Sequence, residues 1–120
     1  MTLSDLIRRI AAEFMAEEPY SDPGQINQGQ CEEFAAIVSI RYQEEIDEWG
    51  DQPILWWDND KLGVDFESSP WPAHAFLEFQ GRYYDSECPE GVDDWQQLPI
   101  FKAWTERYVP STLQLQQSDM

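Results

Sequence analysis

The sequence predicts an α+β domain, with helices leading and a small antiparallel sheet following. Three observations predict it. Apolar residues recur at helical spacing through the first half of the chain. The second half switches to short apolar runs separated by turn residues. Residues 92–108 then return to helical character, so helices and strands are segregated rather than alternating.

Residues 3–18 read as the first helix. Leu3, Leu6, Ile7, Ile10 and Phe14 share one face, while Arg8, Arg9, Glu13 and Glu17 lie mostly opposite. Thr2 or Ser4 is placed to cap it, and Pro19 stops it before the turn cluster 20–24. Gln25 to Gln30 reads as a polar loop. A second helix is expected from Cys31 to Trp49, with a stripe of Phe34, Ala35, Val38, Tyr42 and Ile46 and a stop at Gly50. Pro53 to Trp57 and Leu62 to Phe66 read as short strands around the turn Asp58-Asn59-Asp60. The clearest strand pair is 73–80 with 83–85, joined through Gln80-Gly81-Arg82. Its alternation puts His74, Phe76 and Glu78 on one side and Ala75, Leu77 and Phe79 on the other. Pro99 is expected to break the last helix. The stretch 110–120 reads as a polar tail, leaving 1–109 as a single domain.

Composition excludes several functions. Of 120 residues, 24 are Asp or Glu and 7 are Lys or Arg, giving a net charge of −17. Phosphate contacts need cations, so direct nucleic-acid binding and anionic membranes are disfavoured, and a basic partner is favoured. Hydrophobic residues at 42% and aromatics at 14% are too many for a disordered acidic tail. No run reaches the roughly 20 apolar residues of a membrane span, and no secretory leader is expected. Two cysteines make no disulfide framework, so a reduced, cytoplasmic protein is expected. One His and two Cys do not make a zinc site, and no cofactor is expected.

One constellation could carry chemistry. Cys31 opens a helix, whose positive end lowers a thiol's pKa. His74, the only His, heads an apolar strand and could lower it further. An imidazole acting as base needs its second nitrogen held. The hairpin folds Asp85 back toward His74, with Glu87 and the backbone as rivals for that task. The Cys31 N–H lies among the unpaired donors of a helix start. An upstream amide could join it as an oxyanion donor: Gln25, Asn27, Gln28 or Gln30, with Gln25 favoured. Trp71, fixed between Pro70 and Pro72, could wall a substrate groove. Against activation, Glu32 and Glu33 adjoin the thiol, and negative charge raises its pKa. Taken singly, Cys31 reads as a buried core residue, His74 as a packed strand residue and Asp85 as a turn former. The acidic runs 44–45, 58–60 and 93–94 read as solvated faces. Cys88, before Pro89, reads as incidental in a turn.

The segments 29–35 (GQCEEFA), 74–79 (HAFLEF) and 81–87 (GRYYDSE) resemble the papain-like cysteine hydrolase superfamily, especially its NlpC-type and transglutaminase-like members and small phage- or plasmid-type proteins. The resemblance spans about residues 25–88. It implies Cys31 as nucleophile, His74 as base and Asp85 as orienter. It departs from papain itself at Glu32, where papain carries an aromatic residue, and the short chain leaves little room for substrate-binding loops.

The expected function is therefore a cysteine-dependent amide hydrolase or acyl-transfer enzyme working through a thioester. Gln25 would assist at the oxyanion, Trp71 and Asn27 would contact substrate, and the substrate would be a protein or peptide, favourably a basic one. The rival expectation is a non-catalytic acidic protein that binds a basic partner or mimics nucleic acid. The first expectation requires the Cys31 sulfur and the His74 ring to be neighbours across an open groove.

Overall fold

A computed structural model describes residues 1–17 and 22–108. The α+β expectation holds. Helix α1 (Leu3–Glu17) is followed by a 3-10 segment (Pro23–Gln28) and α2 (Cys31–Glu45). Strand β1 (Ile54–Trp57), short helix α3 (Asp58–Leu62), β2 (Ala75–Phe79), β3 (Arg82–Asp85) and β4 (Cys88–Val92) come next, then α4 (Pro99–Tyr108). The strands form one antiparallel sheet in the order β1-β2-β3-β4.

Thr2 is the cap that α1 uses. Its hydroxyl accepts the Asp5 N–H at 3.1 Å, and the Asp5 carboxylate accepts the Thr2 N–H in return. The face Leu3, Leu6, Ile7, Ile10 and Ala11 packs against Phe34, Ala35, Val38 and Tyr42 of α2 and against Leu77, Phe79 and Tyr84 of the sheet. Arg41 joins Glu13 and Glu45 across the outer edge of the helix pair at 2.8–2.9 Å. These pairs are solvent-exposed and add little beside the apolar contact.

The opposite face of the sheet carries a second, aromatic cluster. Phe76, Cys88, Trp95, Leu98 and Phe101 are buried there, with Trp56, Trp71 and Tyr83 packed around them. Phe76 and Trp95 stack at 5.8 Å, and Phe101 meets Trp95 edge-on at 5.0 Å. The alternation of β2 explains the division, since Leu77 and Phe79 serve one cluster and Phe76 the other.

Several boundaries differ from expectation. α2 ends at Glu45, not Trp49, because Glu44, Glu45, Asp47 and Glu48 put negative charge at the helix's negative end. Trp49 consequently stands 91% exposed. The polar stretch 25–30 is not a plain loop. Asp22 accepts the Gly24 N–H at 2.8 Å, and fully buried Ile26 anchors a 3-10 turn. Residues 62–66 form no strand: Gly63, at φ 70°, ends α3 in the left-handed region that favours glycine. Strand β4 was not expected, since Pro89 and Gly91 argue against a strand. It is an edge strand, where proline is tolerated, and Gly91 is required because a Cβ there would lie 2.6 Å from the Tyr84 ring. Pro99 begins α4 instead of breaking a helix, as suits a residue with no N–H. The Pro19 stop and the 110–120 tail lie outside the described residues.

Phe34 is 2% exposed and meets Phe14 edge-on at 5.4 Å, at the centre of the α1–α2 seam. Truncation to Ala leaves a cavity there. Phe34→Ala is expected to lower unfolding stability by about 3–5 kcal/mol, read from urea denaturation with an unchanged slope.

Candidate active site

The register of the sheet builds the site. β2 and β3 pair Leu77 with Tyr84 and Glu78 with Tyr83. Continued by one residue, that pairing sets Asp85 opposite Phe76 and diagonal to His74 on the same face. The structure shows the resulting contact: His74 Nε2 and Asp85 Oδ2 are 2.9 Å apart. The second Asp85 oxygen accepts the Glu87 N–H at 2.9 Å. Among the rival orienters Asp85 is thus the residue in contact, and Glu87 assists through its backbone.

Cys31 is the first residue of α2, and α2 lies along β2. Its sulfur accepts the Ala75 N–H at 3.4 Å, one residue beyond His74. The other ring nitrogen, Nδ1, is buried and has no hydrogen-bond partner among the described residues. With Nε2 committed to Asp85, Nδ1 is the nitrogen open to the thiol. Burial pushes the Cys31 thiol up, but the His74 ring and the Ala75 and Glu32 N–H groups outweigh it. The thiol is left below its ordinary value. Burial likewise pushes His74 down, but Asp85 and the Cys31 sulfur outweigh it and lift the ring to about 9. The arrangement is that of a thiolate–imidazolium pair whose two protons titrate together.

The open groove is not what the structure shows. His74 is fully buried, Asp85 is 3% exposed and Cys31 8%. Phe101 of α4 covers the imidazole edge-on at 5.4 Å.

The remaining expected residues fall into two clefts. Gln25 and Asn27 lie on the 3-10 turn leading to Cys31 and line a cavity of about 320 Å³ with Glu87, Pro99 and Ile100. Asn27 Oδ1 is 2.9 Å from the Ser86 hydroxyl, while its buried Nδ2 has no hydrogen-bond partner among the described residues. Trp71 lines a larger cleft of about 730 Å³ with Val92, Asp94, Lys102 and Trp104, on another side of α4. It also meets Trp95 and Phe101 edge-on at 5.8 and 5.7 Å, so it is part of the aromatic cluster as well as a wall.

Two readings are corrected. Asp58 is not a solvated turn residue. It is 2% exposed, and its carboxylate accepts the His74 N–H at 3.1 Å and the Ser69 hydroxyl. Cys88 is not in a turn but buried in β4, opposite Asp85. Burial, Asp85 and Glu90 push its thiol up to about 11, so the two free cysteines have opposite character. Phe101 and Ser69 were also missed. Among the described residues no acid, His and Cys group could hold a metal, and no helix is long and apolar enough to cross a membrane. No family model, curated protein or solved structure matches the chain.

The paired shifts set a pH dependence. His74, raised, contributes stability in full below its ordinary value near 6.5 and loses it as pH rises through about 9. Cys31, lowered, contributes above the ordinary thiol value of about 8.5 and loses it as pH falls through its lowered value. Between about pH 6.5 and 8.5 the folded pair and the unfolded pair each hold one proton, and the trends cancel. Wild-type stability from this pair is expected to stay level across that window. Cys31→Ser leaves the His74 trend alone, and its stability is expected to fall with rising pH by up to about 1.4 kcal/mol per unit. Urea midpoints at three pH values measure the difference, and parallel curves would contradict it.

Proposed function

We propose that the protein is a cysteine-dependent amide hydrolase or acyl-transfer enzyme using Cys31, His74 and Asp85. The observation that carries this reading is the contiguous chain from Asp85 through His74 to a thiol with a lowered pKa at the start of α2. The order and spacing of these residues, like those of papain-like cysteine hydrolases, support it further.

The chemistry follows from the roles. The Cys31 thiolate attacks the amide carbonyl carbon and forms the C–S bond. The developing oxyanion is met by the Cys31 N–H, among the helix-start donors. The unpartnered Asn27 Nδ2, near the same turn, is the side-chain amide free to bind an acceptor, and Gln25 lines the same cavity. The His74 imidazolium gives its proton to the leaving nitrogen as the C–N bond breaks, and the amine departs. In hydrolysis, water then attacks the thioester, His74 takes one of its protons, and the C–S bond breaks to return the thiolate. In transfer, a substrate amine replaces that water. Asp85 holds Nε2 throughout, keeping Nδ1 toward sulfur.

The net charge of −17 favours a basic protein or peptide as the acyl donor. Absence of a secretory leader in the sequence reading and two free thiols fit action in a reducing, cytoplasmic compartment.

Intact-protein mass spectrometry with p-nitrophenyl acetate tests the reading. Acetylation is expected at Cys31 and not at Cys88. The apparent pKa of Cys31 should lie below the roughly 8.5 of a free thiol, and His74→Ala should slow acylation at pH 7 by at least about tenfold. Acylation at the same rate in His74→Ala, or at Cys88 instead, would overturn the assignment.

A further inference from the structure

The triad accounts for Asp85 but not for Asp58, a second buried carboxylate at the same end of the sheet. The β1–β2 ladder pairs Trp57 with Ala75, so Asp58 stands opposite His74. At that step the chain leaves β1 and enters α3. The His74 N–H therefore loses the ladder carbonyl it would otherwise meet. A buried N–H without an acceptor is costly. The Asp58 side chain takes the carbonyl's place, with Oδ1 3.1 Å from the His74 nitrogen. Its other oxygen accepts the Ser69 hydroxyl, and Ser69 Oγ in turn accepts the Trp71 N–H at 3.2 Å. One carboxylate thus ties together the start of α3, the Ser69–Trp71 segment and the head of β2.

We infer that Asp58 is a positioning residue for His74, fixing the backbone from which the imidazole spans Asp85 and Cys31. The inference rests on the reading of His74 as the base for Cys31. Asp58 touches neither the sulfur nor the ring, and it acts through the peptide N–H of His74. Residues 70–73 join Ser69 to His74 and form no helix or strand. Without the Asp58 clamp this segment loses the bonds that hold both its ends. The ring then loses its alignment with the sulfur, while Asp85 remains able to follow Nε2.

The ionisable groups around His74 are Cys31 from α2, Asp85 and Glu87 at the end of β3, and Asp58 from α3. The full chain is used for the test, as wild type and as Asp58→Ala, Asp58→Asn and Ser69→Ala. Two readouts are taken: the pH profile of Cys31 alkylation by iodoacetamide, and the nuclear magnetic resonance signal of the imidazole Nε2–H. His74 is the only histidine, so that signal needs no assignment.

Asp58→Ala is expected to slow alkylation at pH 7 by about tenfold or more and to move the apparent thiol pKa toward that of a free thiol. Its Nε2–H signal should broaden or vanish. Asp58→Asn keeps an oxygen for the His74 N–H and should stay within about threefold of wild type, with the signal retained. Ser69→Ala should fall between them. If Asp58→Ala does not fold, the order wild type, Asp58→Asn, Ser69→Ala carries the test. Variants that lower only the melting temperature, with pH profile and signal unmoved, would overturn the inference. An ordinary Cys31 thiol in the wild type would defeat the proposed function, and the imidazole signal would still decide whether Asp58 holds His74.

Discussion

The buried hydrogen bond between His74 and Asp85 is the constraint around which the rest is arranged. A carboxylate and an imidazole without access to water need their full complement of partners. Asp85 finds its second partner in the Glu87 N–H, and His74 finds its backbone partner in Asp58. The one ring atom left over is Nδ1, beside which the chain supplies a thiol. An imidazolium held there explains why Cys31 is lowered despite burial and despite Glu32 and Glu33. Those two side chains are exposed, and water screens them.

The comparison with Cys88 sharpens the point. Both sulfurs are buried, and both lie near Asp85. Cys31 meets the imidazole and two N–H donors, while Cys88 meets Glu90 and the Asp85 charge. Burial alone would raise both thiols. The difference between them comes from their neighbours, and those neighbours are set by the strand register.

Much of this was legible in the sequence because the residues concerned sit where local signals are strong. Gly29 and the apolar stripe that follows place Cys31 at a helix start. Gln80-Gly81, both with positive φ, fix the hairpin that carries Asp85 back toward His74. Asp58 was not legible, because its role exists only once β1 pairs with β2, a contact between segments about twenty residues apart. The strand expected at 62–66 failed on Gly63, whose left-handed conformation served a helix end and not a strand. β4 was hidden because Pro89 and Gly91 argue against a strand anywhere except an edge. Phe101 was hidden for a different reason: a helix's own periodicity shows which face is apolar, but not which imidazole that face will cover.

That cover has a consequence of its own. Phe101 lies on a ten-residue helix at the end of the described chain, and it closes over a ring with no surface left to water. A molecule seeking the imidazole cannot simply collide with it. Entry becomes a matter of how often α4 swings aside, so the tempo of encounter belongs to the breathing of the C-terminal helix as much as to the reactivity of sulfur.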